Sequence, residues 1–175
     1  MAFDLQSLMT TLKSRFGDDV LGHGESRGQA VVSIRRGASL PVLRFLRDEA
    51  HFEMLTDVTC VDSLRLPPDM QRDYSERFAV VYQLYSLTHN ARLRVKAFVP
   101  EETCEIDSAT PLWDAANWGE REAYDMFGVV FRGHPDLKRI LMPDNYEGYP
   151  LRKDYPLKGR GERDRFEKYT EIPPR

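Results

Sequence analysis

The chain has 175 residues, 41% hydrophobic and 30% charged, with a formal net charge of −3. That balance suits one globular domain with a short appendage and excludes a general polyanion binder, so nucleic acid is not an expected partner. No window approaches about eighteen consecutive apolar residues, and the opening stretch "MAFDLQSLMTTLKSRFG" lacks a hydrophobic run followed by a small-residue cleavage site. The expectation is a cytoplasmic protein that meets a membrane only through a partner.

Leu5, Leu8, Met9, Leu12 and Phe16 recur at helical spacing, with Asp4 placed to cap the start and Gly17 to stop the helix in a left-handed conformation. "DVLGHG" and "QAVVSI" flank the turn-prone "ESRG" and predict a hairpin. Ser39 is placed to cap a second helix, with Pro41 in its first turn and Leu40, Leu43, Leu46 and Ala50 on one side. "FEMLTDVTCVDS" predicts a β-branched strand.

After a polar loop holding Pro67, Pro68 and Asp69, "RFAVVYQLYSL" and "ARLRVKAFV" predict a second hairpin through "THN". Its second strand alternates Arg92, Arg94 and Lys96 with Leu93, Val95, Ala97 and Val99, giving one wet and one buried face. Its first strand is apolar on both faces and belongs inside the sheet. Residues 1–100 therefore predict an α+β fold, a two-layer sandwich of helices on a mixed sheet in the order α-β-β-α-β-β-β.

Residues 101–131 predict a linker, "EETCEIDSAT", and then a helix starting at Pro111 behind Thr110. That helix is kinked at Trp118–Gly119 and ends at Phe127 with Gly128 as its stop. Cys60 and Cys104 are the two cysteines, expected as reduced structural thiols. With no CxxC and no Cys/His cluster, no zinc or iron–sulfur site is expected.

The character changes at Arg132. From there eleven Lys/Arg stand against eight Asp/Glu, a net +3, leaving −6 for residues 1–131. Within "EGYPLRKDYPL", Pro150 and Pro156 forbid a continuous helix or a central strand. Ordering about 43 backbone positions costs on the order of 1–2 kcal/mol each, which a segment without internal contacts must recover elsewhere. Disorder would avoid that cost, yet the segment carries anchors such as Leu137, Ile140, Met142, Tyr149, Leu157, Phe166 and Tyr169. Residues 132–175 are therefore expected as an extended partner-binding arm, with Arg152 offering bidentate contacts to a carboxylate.

Glu122 and Asp125 share a helix face and, with His134, could form the acid/base cluster of a free-standing hydrolase. No nucleophile accompanies them by motif, and Arg121 between the carboxylates suits anchoring better. His134 before Pro135 fits a turn residue better than a metal ligand.

The run "EREAYDMFGVVFRGHPDLKRILMPDNYEGYPLRKDYPL", Glu120 to Leu157, resembles the signature of the 30 kDa subunit family of proton-pumping NADH:quinone oxidoreductase, bacterial respiratory complex I. "DVTCVD" at 57–62 and "PLWDAANW" at 111–118 fit as well. The resemblance implies a non-catalytic structural subunit of the peripheral arm, whose extended segment clamps the quinone-site (D) subunit, with the B and iron–sulfur subunits nearby. It would support electron transfer from NADH to quinone, coupled to proton translocation, on the cytoplasmic side of the inner membrane.

The resemblance implies no catalytic, cofactor or metal residues in this chain, with FMN and iron–sulfur clusters carried by other subunits. Partner contacts are expected from Glu120, Arg121, Glu122, Asp125, Phe127, His134, Pro135 and Arg139, and further along from Leu141, Pro143, Tyr146, Leu151, Arg152, Lys153, Asp154 and Tyr155. An equivalent scaffold subunit of a membrane-bound hydrogenase or ferredoxin-linked complex is the alternative.

Overall fold

The computed structural model describes residues 4–162. Helix α1 (Leu5–Phe16) starts where Asp4 accepts the Gln6 amide at 3.0 Å, and it buries Leu8, Met9 and Leu12. Gly17 ends it with a positive φ of 55°, but with ψ −126° rather than in the left-handed helical conformation expected. Strands β1 (Val20–Ser26) and β2 (Gln29–Arg35) form the expected hairpin. Both turn residues, Arg27 and Gly28, have positive φ (54° and 75°), which matches the twist of the flanking strands.

Helix α2 (Ser39–Asp48) buries Val42, Leu43, Phe45 and Leu46. Ser39 does not cap it: a 3-10 turn, Arg36–Ala38, runs directly into the helix, so Ala38 holds the cap position and Ser39 is already helical and buried. Strand β3 (Met54–Asp62), a short helix α3 (Pro68–Gln71), and strands β4 (Phe78–Ser86) and β5 (Ala91–Val99) follow.

The sheet runs β1-β2-β5-β4-β3, antiparallel throughout except for the parallel β2–β5 pair. The sheet is therefore mixed, as the sequence predicted, with β4 internal and β5 at the centre. Register aligns Val32, Val95, Tyr82 and Val58 in one row and Ile34, Ala97, Val80 and Cys60 in the next. All eight belong to one buried cluster with the apolar sides of α1 and α2.

Helix α4 (Ala116–Phe127) lies against β3 on that same face. A Cβ at Gly119 would sit 2.8 Å from the Val58 carbonyl oxygen, so glycine lets the helix approach the strand this closely. The helix starts at Ala116 rather than at Pro111, and it runs unbroken through Trp118–Gly119. Residues 109–115 are spent on tight turns that bury Leu112 and Trp113, with the Trp113 indole donating to the Glu53 carbonyl at 2.9 Å. The left-handed Gly128 (φ 77°) stops α4 as predicted.

Two strands of three residues were not anticipated: β6 (Glu105–Asp107), inside the expected linker, pairs in parallel with β7 (Val130–Arg132). Beyond Arg132 the described residues add no further helix or strand. Among the described residues no helix is long and apolar enough to cross a membrane.

Candidate functional site

A helix leaves its last carbonyls without partners, and its C-terminal end carries partial negative charge. Helix α4 ends on "EAYDMFG" with no basic residue in its last turn and with an acid, Asp125, in it. That pattern is unfavourable by itself, and the segment after β7 resolves it. Arg139 donates to the Asp125 carbonyl at 3.1 Å, the Leu151 amide to the Met126 carbonyl at 3.1 Å, and Arg152 Nε to the Phe127 carbonyl at 2.6 Å. The two missing cations and the missing donors of the helix end thus come from residues 14 to 25 positions further along the chain.

Asp125 itself is fully buried. Its Oδ1 accepts Arg139 Nη1 at 2.6 Å, and its Oδ2 accepts the amides of Ile140, Leu141 and Met142 at 2.9, 2.7 and 2.9 Å. Burial pushes this carboxyl's pKa up, but the three amides and the guanidinium outweigh it, and the net shift is downward. Arg139 also donates to the Gly148 carbonyl at 3.1 Å, fastening the next bend.

A second anchor sits at the end of β3. Arg77 grips Asp62 with Nε and Nη2 at 3.2 and 2.9 Å, reaches Asp154 at 2.7 Å, and also pairs with Glu101. Asp62 accepts the Lys153 amide at 2.9 Å and the Leu64 amide at 3.0 Å. Burial raises the Asp62 carboxyl, and the Arg77 and amide bonds more than reverse this. The bond to Asp62 is the largest cause holding Arg77 above its ordinary range.

Between the two anchors, guanidinium groups alternate with rings. Arg77 and Arg152 each lie 4.9 Å from the Phe78 ring centre; Arg152 lies 4.7 Å and Arg139 5.4 Å from Tyr149; Arg139 lies 5.9 Å from Tyr146. The Tyr146 and Tyr155 hydroxyls meet at 2.6 Å, Tyr155 donates to Glu162, and Arg160 lies 5.2 Å from the Tyr155 ring. Each cation–ring contact is worth about 0.5–2 kcal/mol. Gly128 fits beneath the stack because a Cβ there would be 2.5 Å from the Tyr149 ring.

The expectation that this segment lacks internal contacts is therefore corrected for residues 132–162: prolines exclude regular structure, and side-chain anchors hold the segment on its own domain instead. Residues 163–175, with Phe166 and Tyr169, lie outside the described residues.

Glu120 is also fully buried, accepting the Ser108 hydroxyl and the Ala109 amide, both at 2.6 Å. Burial raises its carboxyl to about 7, with these two bonds opposing the rise.

The residues named from the sequence divide by direction. Glu120, Asp125 and Phe127 are buried, while Arg139 and Arg152 are half-buried with the internal partners given above. Arg121 donates to the Lys138 carbonyl at 3.1 Å and covers the exposed Trp118 ring at 4.9 Å. Leu141 and Leu151 are exposed (60% and 45%), as are Pro135, Pro143, Lys153 and Asp154.

The acid/base trio is not assembled. Glu122 is exposed, every oxygen of Asp125 is occupied, and His134 bonds the Asn117 carbonyl and the Asp136 amide. Sequence reasoning missed Asp62, Arg77, Phe78 and Ser108, whose partners lie far away in the chain. A signal did exist for Asp125, since an acid in a last helical turn without a nearby cation requires one from elsewhere.

The family model described as "Respiratory-chain NADH dehydrogenase, 30 Kd subunit" matches residues 32–161. The C subunit of NADH-quinone oxidoreductase from Citrifermentans bemidjiense is 51% identical over 148 residues, 85% of this chain and 87% of that protein. Among solved structures, a trypsin-resistant fragment (1-134) of Nqo5 matches with TM-score 0.63 and 34% identity, covering 74% of this chain and 98% of the fragment. A chain of an archaeal membrane-bound sulfane sulfur reductase shares the fold, with TM-score 0.70 at 18% identity over 95% of both chains. The two carboxylate anchors Asp62 and Asp125 and the Arg–aromatic stack all fall inside the matched region, and the chain belongs to the 30 kDa subunit family of respiratory-chain NADH-quinone oxidoreductase.

Proposed function

We propose that this chain is a structural subunit of the peripheral arm of complex I, holding the quinone-site subunit with the outer surface of residues 132–162. Electron transfer from NADH to quinone would then run through FMN and iron–sulfur clusters in other subunits, on the cytoplasmic side of the inner membrane. This chain would supply position rather than chemistry.

The observation that carries the reading is the division of the segment's side chains. Arginines, tyrosines and backbone amides turn inward onto Asp125, Asp62 and the end of α4, while Leu141, Leu151 and Leu157 stand exposed at 60%, 45% and 104%. Leucines held outward on a fixed backbone suit burial against a neighbouring protein.

The test is the triple variant L141D/L151D/L157D, assayed by native gel for incorporation into the complex. Incorporation should fall severely with the melting of the isolated chain unchanged. R152A and Y155A, which cut inward anchors, should loosen the segment as well as lower incorporation. Full incorporation of the triple variant would sink the reading.

A further inference from the structure

Helices α1, α2 and α4 cover one face of the sheet. Across the other face, neighbouring strands align Tyr85 with Arg92, Gln83 with Arg94, and Val81 with Lys96. At one end of this face Tyr74 packs its edge on Phe98 at 5.7 Å and lies under the Lys96 ammonium at 4.5 Å. Nothing similar meets the two arginines. Arg94 donates to the Gln29 side-chain oxygen at 2.8 Å, Gln29 donates in turn to Gln83 at 3.0 Å, and the chain of bonds ends on neutral amides. The Arg94 Nε is buried without a partner among the described residues, and the Arg92 side chain has no hydrogen bond or ion pair among them.

Elsewhere in the protein Arg15, Arg47, Arg77, Arg132 and Arg139 each pair with a carboxylate, and Arg35, Arg36, Arg121 and Arg152 bond backbone carbonyls, whereas the buried Arg94 Nε has neither kind of partner among the described residues. Asp57, in register with Gln83, and Glu25 at the rim pair with neither Arg92 nor Arg94. Residues 1–131 carry a net −6, so a cationic strip on their central strand opposes the sign of its surroundings.

We propose that this open face docks an acidic segment of a neighbouring polypeptide, its aspartate or glutamate side chains reaching the Arg92 and Arg94 guanidinium groups. The surface has the room. A depression of about 440 Å3 lined by Gln29, Thr56, Gln83 and Arg92 adjoins one of about 630 Å3 that shares Gln29, Tyr85 and Arg92. Guanidinium groups match carboxylates bidentately, and the half-buried Arg94 gains more from a counter-ion than a hydrated cation such as the exposed Arg92 does. The glutamine amides and the exposed Met54 (44%) beside them suit a peptide's mixed surface better than a lone anion. This surface lies apart from the segment 132–162 and does not depend on that segment's role.

The experiment uses the full chain inside the assembled complex. R92K/R94K would be treated with a carbodiimide, which joins an amine only to a carboxylate in direct contact, and the products mapped by mass spectrometry. Lys96 on the same face provides a site that needs no substitution.

The expected result is coupling from position 92 or 94 to an Asp or Glu of another chain. R92E/R94E should in addition lower incorporation about tenfold at low salt, with the melting of the isolated chain unchanged. Coupling only within the chain, to Asp57 or Glu25 for example, would overturn the proposal, as would normal incorporation of R92E/R94E. Absence of coupling overturns it too, whether the amines label freely or are shielded by anionic lipid or an uncharged partner.

Discussion

Asp125→Asn is the sharpest test of how residues 132–162 are held. The substitution keeps the shape of the side chain and removes its charge. The Asp125 carboxylate now serves four donors, the Arg139 guanidinium and the amides of Ile140, Leu141 and Met142, from a side chain with no exposure. An asparagine oxygen can take two of these, and its NH2 group then points donors at donors. Arg139, 13% exposed, is left without a counter-charge.

Breaking a buried pair from one side costs about 3–5 kcal/mol. If that loss falls on local opening, exchange of the Ile140, Leu141 and Met142 amides should accelerate by roughly two to four orders of magnitude. Exchange in the core strands should change far less. Hydrogen exchange of the isolated chain, read by NMR or mass spectrometry, decides the matter, and D125N amides within about threefold of the parent would refute the anchor. The double variant D125N/R139Q should cost less than the sum of its single variants, because the stranded cation is removed with its partner.

Two further outcomes follow from the same region. Glu120 titrates near 7 in the folded protein against an ordinary value of 4.5, so folding favours its protonated form. That contribution is complete below about pH 4.5 and is lost as pH rises through 7, a change of up to about 3 kcal/mol. Urea unfolding from pH 5 to 8 should show this decline in the parent and not in E120Q, and equal slopes would contradict the assignment. Gly128→Ala should destabilise by about 1–2 kcal/mol from the left-handed backbone alone, plus the cost of moving the Tyr149 ring. In a Y149A background only the backbone cost should remain, so an equal loss in both backgrounds would rule out the ring contact.

Much of the domain was legible because its signals are local. Asp4, Gly128, the helical spacing of Leu5 to Phe16, and the alternation of Arg92 to Val99 each depend on neighbours within a few positions, and each element stands where these signals put it. Ser39 misled because serine before an apolar run also fits the first helical residue when a 3-10 turn precedes it. Strands β6 and β7 are three residues each, shorter than any period can declare, and they exist through each other across 25 positions. The segment beyond Arg132 was misjudged for a related reason. Its anchors are single side chains bonded to residues 14 to 91 positions away, and periodicity carries no trace of such contacts.

That mode of anchoring bears directly on the proposed role. A proline-rich segment cannot satisfy its backbone through a helix or a ladder, but the end of α4 offers carbonyls that lack donors, and Asp125 and Asp62 offer carboxylate oxygens that accept four backbone amides from the segment. Each side therefore satisfies groups that the other could not satisfy alone, and the alternating guanidinium groups and rings fill the space between them without any periodic structure. The conformational entropy of residues 132–162 is then lost when the domain folds and not when a partner arrives. In the proposed clamp, the quinone-site subunit would meet leucines already held in place, so association would resemble the docking of two rigid surfaces more than the folding of a flexible tail. Loosening the inward anchors should accordingly weaken assembly even when every outward leucine is intact, because the cost of ordering the segment returns to the binding step.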